Sequence, residues 1–204
     1  MKKLLLATHN RAKLQELKTG AAGLVSQSIK ILSLSNLNIT TEPEETGKTF
    51  EENALIKARY YAEKTGLPTI ADDGGLEIEI LDGEPGVKSK RWVGHEGTDE
   101  ELITYTLKRL TGLPKQKRKA YLSVCLCYFD PKTKMTLCKQ EKINGHIAEV
   151  PSGRPTNGYP FRALFVVDEL GKYYDELTEE EHNKINHRLK ALKRLINNIK
   201  YMLK

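Results

Sequence analysis

The feature that most constrains this chain is the order in which its hydrophobic periodicities change. Lys3 to Ala7 reads as a short apolar strand. Thr8-His9-Asn10 then opens a helix to about Ala22, with Leu14, Leu17 and Ala21 on one face. Ile29 to Leu34 reads as a second strand, followed by a polar loop from Asn36 to Lys48. Thr49-Phe50-Glu51-Glu52 has the form of a capping box. The helix behind it buries Ala54, Leu55, Ala58 and Ala62 and stops at Gly66 and Pro68. Thr69–Asp73 and Leu76–Leu81 read as two further strands. A second capping box, Thr98-Asp99-Glu100-Glu101, precedes a helix carrying Leu102, Ile103, Leu107 and Leu110. Ala120–Phe129 and Met135–Val150 are long strands joined by Asp130-Pro131-Lys132-Thr133-Lys134, a hairpin signal. Phe161–Val167 is another strand. From about Thr178 the chain is helical, with Leu189, Leu192, Ile196, Ile199 and Leu203 in one stripe. Strand–helix–strand units first, an antiparallel hairpin second and a helix last imply an α/β fold: a mixed twisted sheet with flanking helices, forming one domain over residues 1–204.

Composition narrows the function classes. The chain has 204 residues, 39% hydrophobic and 29% charged, which excludes a disordered or low-complexity chain and is enough for a core without staples. No apolar run approaches the ~20 residues of a membrane span. The apolar start, Leu4-Leu5-Leu6-Ala7, stops too soon for a signal core. A soluble cytoplasmic protein is expected. Cys125, Cys127 and Cys138 are read as small apolar residues of a reduced strand. Cys125-Leu126-Cys127 has no nearby His or fourth Cys to complete a zinc site. Lys+Arg minus Asp+Glu is 33 − 27 = +6. From Glu181 to Lys204 there are seven bases against one acid, so this tail alone accounts for the excess. So local a cluster argues against a general nucleic-acid binder and suits a phosphate ligand or a solvated helix face equally.

Several stretches could carry chemistry. Thr8, Asn10 and Lys13 lie on the first turn of a helix, whose free N–H groups favour phosphate; an Asn cap beside a solvated Lys is the plainer reading of the same residues. Glu44-Glu45-Thr46-Gly47 precedes the capping box. Ala71-Asp72-Asp73-Gly74-Gly75 falls at the end of an apolar strand, where ligands of open α/β sheets bind. Paired carboxylates there suit Mg²⁺, or else simply cap a turn. Gly83-Glu84-Pro85-Gly86-Val87-Lys88-Ser89-Lys90-Arg91 is a turn-rich loop with a basic end, and Asn186-His187-Arg188 heads the basic helix.

Taken together and in order, these words resemble the inosine/xanthosine triphosphate pyrophosphatase family. The matching stretches are Ala-Thr-His-Asn-Arg-Ala-Lys-Leu-Gln-Glu from Ala7, Glu-Glu-Thr-Gly-Lys-Thr-Phe-Glu-Glu-Asn-Ala-Leu-Ile-Lys-Ala-Arg from Glu44, Ala-Asp-Asp-Gly-Gly-Leu from Ala71, Gly-Glu-Pro-Gly-Val from Gly83 and Asn-His-Arg-Leu-Lys-Ala-Leu from Asn186. The resemblance implies two lobes around a central nucleotide cleft, a homodimer, and hydrolysis of ITP, dITP or XTP to the monophosphate and pyrophosphate with Mg²⁺. It implies Thr8, Asn10 and Lys13 as triphosphate contacts, and Glu44 and Asp73 as metal ligands with Asp73 also the general base. Lys57 and Arg91 would be further phosphate or cleft charges. Gly74 would offer a backbone N–H, Tyr159 a stacking face, and His187 and Arg188 would read the base. A guanidinium only donates, so it suits a 6-keto oxygen and mismatches a 6-amino group.

Three positions depart from the family pattern. Gly74 stands where a serine is usual. The base-stacking segment falls on Gly158-Tyr159-Pro160-Phe161-Arg162-Ala163, placing Arg162 where an acid is usual. A family lysine falls on His182, with Lys184 nearby. A pyrophosphatase of shifted base specificity and a weakly catalytic nucleotide-binding protein on the same scaffold are the alternative readings.

Overall fold

The computed structural model describes residues 2–25, 29–156 and 158–201. In chain order the regular elements are β1 (Lys2–Ala7), α1 (Arg11–Val25), β2 (Ile29–Ser33), α2 (Phe50–Thr65), β3 (Thr69–Ile78), α3 (Asp99–Arg109), β4 (Lys119–Phe129), β5 (Thr136–Ile147), β6 (Phe165–Val167), β7 (Lys172–Tyr173), α4 (Glu179–Ile185) and α5 (His187–Ile199). The strands form a mixed seven-stranded sheet in the order β2-β1-β3-β4-β5-β6-β7. β1 pairs in parallel with β2 and β3, whereas β5–β6 and β6–β7 are antiparallel. The mixed open sheet with flanking helices agrees with the α/β expectation. Among the described residues no helix is long and apolar enough to cross a membrane.

The chain divides into two compact units, each made of non-contiguous segments. The first takes Met1–Gly74, Val124–Glu141 and His187–Lys204; the second takes Gly75–Ser123 and Lys142–Asn186. In the first, Leu4, Leu6, Ile70, Val124, Leu126 and Tyr128 project from one face of the sheet. They pack with Leu17, Ala21 and Leu24 of α1 and Leu192, Leu195 and Ile199 of α5. α2 packs on β1; the buried Ala54, Ala58 and Ala62 on it permit a close approach. The second unit has its own core around Leu76, Trp92, Leu102, Ile143, Phe165 and Tyr174.

Several elements differ from the sequence expectation. β3 runs unbroken through Gly74 and Gly75, which are not left-handed, so the two expected strands are one and Glu79–Leu81 is a 3-10 turn. In the expected strand 161–167, the residues Pro160–Ala163 form a 3-10 turn and only Phe165–Val167 is strand. The terminal helix breaks at Asn186 into α4 and α5, and α4 has a capping box of its own at Thr178 and Glu181. Leu203 of the expected stripe lies outside the described residues. Thr49 accepts from Glu52 N as expected, but Glu52 Oε2 accepts from Lys48 N (2.6 Å) rather than from the cap residue. The cysteines are not all reduced: Cys127 and Cys138 form a disulfide, because the return of the hairpin brings their Cα atoms to 4.2 Å.

Candidate active site

The turn between β1 and α1 has a structural task. Asn10 caps α1, its Oδ1 accepting from Lys13 N at 3.0 Å, and Thr8 Oγ1 accepts from Asn10 N at 3.2 Å. The plainer reading of these two residues therefore holds locally. Lys13 is not a solvated lysine: its Nζ lies 3.1 Å from Asp72 Oδ2.

Strand alternation then decides the two carboxylates. Successive side chains of a strand point to opposite faces, so Asp72 follows Ile70 toward α1 and α5, while Asp73 follows Ala71 toward α2. Asp72 is 1% exposed at its side chain. Its Oδ2 accepts from Arg188 Nε at 3.1 Å, and Arg188 Nη1 donates to Glu16 Oε2 at 2.5 Å. Lys13, Arg188, Asp72 and Glu16 balance as two positive and two negative charges. Burial alone would raise Asp72, yet Lys13 and Arg188 hold it well below the usual carboxylate range. Burial opposes the Arg188 charge, and Asp72 and Glu16 more than offset this. Burial pulls Lys13 below the ordinary lysine value, with Asp72 opposing. Nε and Nη1 of Arg188, which the family resemblance assigns to base reading, are thus committed to two carboxylates. His187, the first residue of α5, is buried.

On the other face, Asp73 accepts from Asn53 Nδ2 at 3.2 Å and from Lys57 Nζ at 3.1 Å. Lys57 also donates to Glu45 Oε1 at 3.1 Å. Asn53 and Lys57 are four apart on α2 and share a face. One lysine between two carboxylates leaves this face with a net charge of −1. Burial raises Asp73, with Lys57 opposing and Glu45 reinforcing the rise. Lys57 is raised: burial would lower it, but Asp73 and then Asp72 prevail.

The loop before α2 is tethered at both ends. Thr41 takes hydrogen bonds from Tyr60, Tyr61 and Lys64. At the other end Gly47 N donates to Asn53 Oδ1 at 2.8 Å. A Cβ on Gly47 would lie 2.5 Å from that same oxygen, so the loop can sit this close only with glycine. Between the tethers, Glu45 is the carboxylate that reaches Lys57; Glu44 is exposed. Glu45 thus stands beside Lys57 and Asp73, one position from Glu44, the ligand that the family resemblance implies. Hard oxygen donors at Glu45 and Asp73, with an uncompensated negative charge, fit a small divalent cation.

Gly74 ends the segment of β3 that belongs to the first unit. Arg91 and Tyr159 belong to the second unit, where Arg91 is exposed at the end of a 3-10 turn. There the Arg162 guanidinium stacks over the Tyr159 ring at 3.9 Å and faces the Tyr174 ring at 5.1 Å. Tyr174 Oη and His182 Nε2 are hydrogen-bonded at 2.8 Å. Lys184 lies 3.7 Å from Glu169. One face of Tyr159 is therefore covered by Arg162.

Asn53 and Glu16 lie inside the stretches that resemble the family but were assigned no role, and Glu45 was a member of the Glu44-Glu45-Thr46-Gly47 stretch without being singled out. Asn53 carried a signal: a buried asparagine beside two alanines on a helix face needs partners, and Lys57 one turn on points to where they are. The roles of Glu16 and Glu45 were not legible, because their partners Arg188 and Lys57 are distant in the chain or across a loop.

A model of the Ham1 family matches residues 4–198. A dITP/XTP pyrophosphatase of Thermoanaerobacter sp. (strain X514) is 45% identical over 202 residues, covering 99% of this chain and 97% of its own length. A dITP/XTP pyrophosphatase of Bacillus subtilis (strain 168) is 39% identical over 195 residues, covering 96% of each. A solved structure of a HAM1 protein from Coxiella burnetii superposes with a TM-score of 0.85 at 34% identity, covering 98% of this chain and 100% of that one.

Proposed function

Because the chain belongs to the Ham1 family, we propose that it hydrolyses non-canonical purine nucleoside triphosphates, ITP, dITP and XTP, to the monophosphate and pyrophosphate, with Mg²⁺. It is a nucleoside triphosphate pyrophosphatase in this reading. The observation that carries it is the Glu45–Lys57–Asp73–Asn53 cluster on one face of β3. Glu45 and Asp73 would hold the cation, whose charge would offset that of the phosphates. Asp73, raised by burial, is a carboxylate suited to taking the proton of an attacking water. Asn53 holds its Oδ2 and Lys57 its Oδ1, so the two together orient the carboxyl. The first turn of α1 favours phosphate, and Lys13 beside it would exchange Asp72 for the phosphate. Phosphoryl displacement needs mainly such positioning and charge stabilisation.

A reading of shifted base preference is favoured by one observation, the stacking of Arg162 on Tyr159 where the family resemblance leads one to expect an acid. Pyrophosphate release from ITP, XTP, GTP and ATP, with and without Mg²⁺, tests both readings. Turnover of ITP or XTP above GTP and ATP, abolished by chelation, is expected. Binding without turnover of all four would sink the hydrolase reading. In Arg162→Asp the ratio of XTP to ITP efficiencies should move; an unchanged ratio would show that Arg162 does not touch base preference.

A further inference from the structure

A second cluster of reactive side chains lies on the α2 face, outside the carboxylate site. Along β4, Val124, Leu126 and Tyr128 join the core on the α1 and α5 side. Cys125 and Cys127 therefore project to the opposite face. Cys127 Sγ lies 3.6 Å from the carbonyl oxygen of Glu51, in the first turn of α2, and 3.9 Å from Cys125 Sγ. The return strand β5 places Cys138 across from Cys127, bonded to it. All three sulfurs lie within 4.8 Å of one another.

We propose that Cys125, Cys127 and Cys138 form a redox-gated thiolate site for one soft cation of the Zn²⁺ or Cd²⁺ class, closed by the Cys127–Cys138 disulfide and opened by its reduction. A metal–sulfur bond of about 2.3 Å places sulfurs of one coordination shell roughly 3.8–4.0 Å apart. The Cys125–Cys127 pair already has that spacing. Cys138 is partly exposed, so it can rotate away once its bond is broken, and it offers the cation a way in. Soft thiolates select against Mg²⁺, so this site does not compete with Glu45 and Asp73. The opening step balances. A small dithiol gives two electrons and two protons to the Cys127–Cys138 bond and leaves as its own disulfide, producing two thiols. Cation binding then releases the thiol protons to solvent as three sulfur–metal bonds form. Cys127 also abuts the turn of α2 that precedes Asn53 and Lys57, so the state of the cluster bears on the helix that holds Asp73.

The test uses the full chain and Cd²⁺ alone as the probe. Alkylation of the unreduced, unfolded protein should find one free thiol, and three after reduction. With Mg²⁺ in excess to hold the Glu45–Asp73 site, reduced folded protein should bind one Cd²⁺ per chain through sulfur, with a sulfur-to-metal charge-transfer absorption and a raised melting temperature. Protein reoxidised by a small-molecule disulfide should show no such absorption. Cys138→Ser and Cys125→Ala should each weaken binding about 100-fold, no less than the loss of an outer-sphere partner costs elsewhere. Three free thiols without reduction, no absorption band in reduced protein, an equal band in oxidised protein, or an undiminished band in Cys138→Ser would each overturn the proposal. Cys138→Ser, at a partly exposed position, decides the matter should Cys125→Ala fail to fold.

Discussion

Replacing Asp73 by asparagine and replacing Asp72 by asparagine are the same chemical edit one residue apart, and the structure gives them opposite consequences. Asp72 is the shared partner of two buried cations, so Asp72→Asn leaves Lys13 and Arg188 with Glu16 alone. A loss of about 3–5 kcal/mol in urea unfolding is expected, as for other broken buried pairs. Asp73 is a buried carboxylate raised by that burial, so Asp73→Asn should leave stability unchanged or improved while turnover falls about 10²–10⁴-fold, the scale of general-base catalysis. The reverse pattern would mean that the two faces are misassigned. Their pH signatures also differ. Asp72, depressed in the fold, contributes stability that is present above the unfolded carboxylate value of ~3.9 and is lost as pH falls through its lower folded value. Asp73, raised in the fold, contributes in the other sense: its share is present below the unfolded value and is lost as pH rises through the folded one. The acid limb of kcat/KM should follow Asp73. Glu45→Gln removes a group that raises it and should move the limb down; Lys57→Met removes one that lowers it and should move the limb up. Movement of both limbs in the same direction would exclude Asp73 as the titrating group. The Asp72-Asp73 pair was legible as a motif. Its division between faces was not, because Gly74-Gly75 read as a break; a single strand through Ile78 gives the division at once by its period of two.

At the scale of elements, α2 organises the α2-face site. Its N-cap Thr49, its Asn53 and its Lys57 were each visible as residue types, but the loop they hold depends on a close approach that only the folded chain reveals. Gly47→Ala should push the loop off Asn53, since the new methyl would meet Asn53 Oδ1, Glu52 Cβ and Asn53 N, all under 3.0 Å. Glu45 would leave Lys57, and Mg²⁺ dependence should shift to higher concentration while the melting temperature changes little. An unaltered Mg²⁺ titration would show that the tether does not position Glu45. The starts of α2 and α3 were legible because caps and apolar stripes are local signals, although Glu52 does not close its box and the break into α4 and α5 was not foreseen. The cysteine bridge was missed for the complementary reason: residues 127 and 138 meet only through the register of a hairpin, which composition does not record.

For the whole molecule, the first unit draws on three separated stretches of chain, and α5 comes last of them. Leu192, Leu195 and Ile199 of α5 are fully buried against α1 and the sheet. At about 1.5–3 kcal/mol each, their burial is comparable to the ~5–15 kcal/mol net stability of an ordinary domain. Removing residues 187–204 should therefore abolish cooperative unfolding of the first unit, seen as loss of protease resistance in Met1–Gly74; a resistant fragment would refute this. The mixed sheet could be read from the order of elements, but the interleaving of the two units could not, since β3, β4 and β5 each contribute to both and carry no change of composition where they pass from one to the other.

This interleaving also sets a timetable during synthesis. The second unit is complete in the nascent chain at Asn186, whereas the first, begun at Met1, waits for α5. Between Glu141 and His187 the ribosome adds 45 residues (142–186), which takes roughly 2–9 s at 5–20 residues per second. For that interval the apolar faces of β1 and α1 and the carboxylate of Asp72 lack the helix that covers and neutralises them. The part of the protein made first is thus the part finished last, and it is the one in which a paused ribosome or a waiting chaperone would have something to hold.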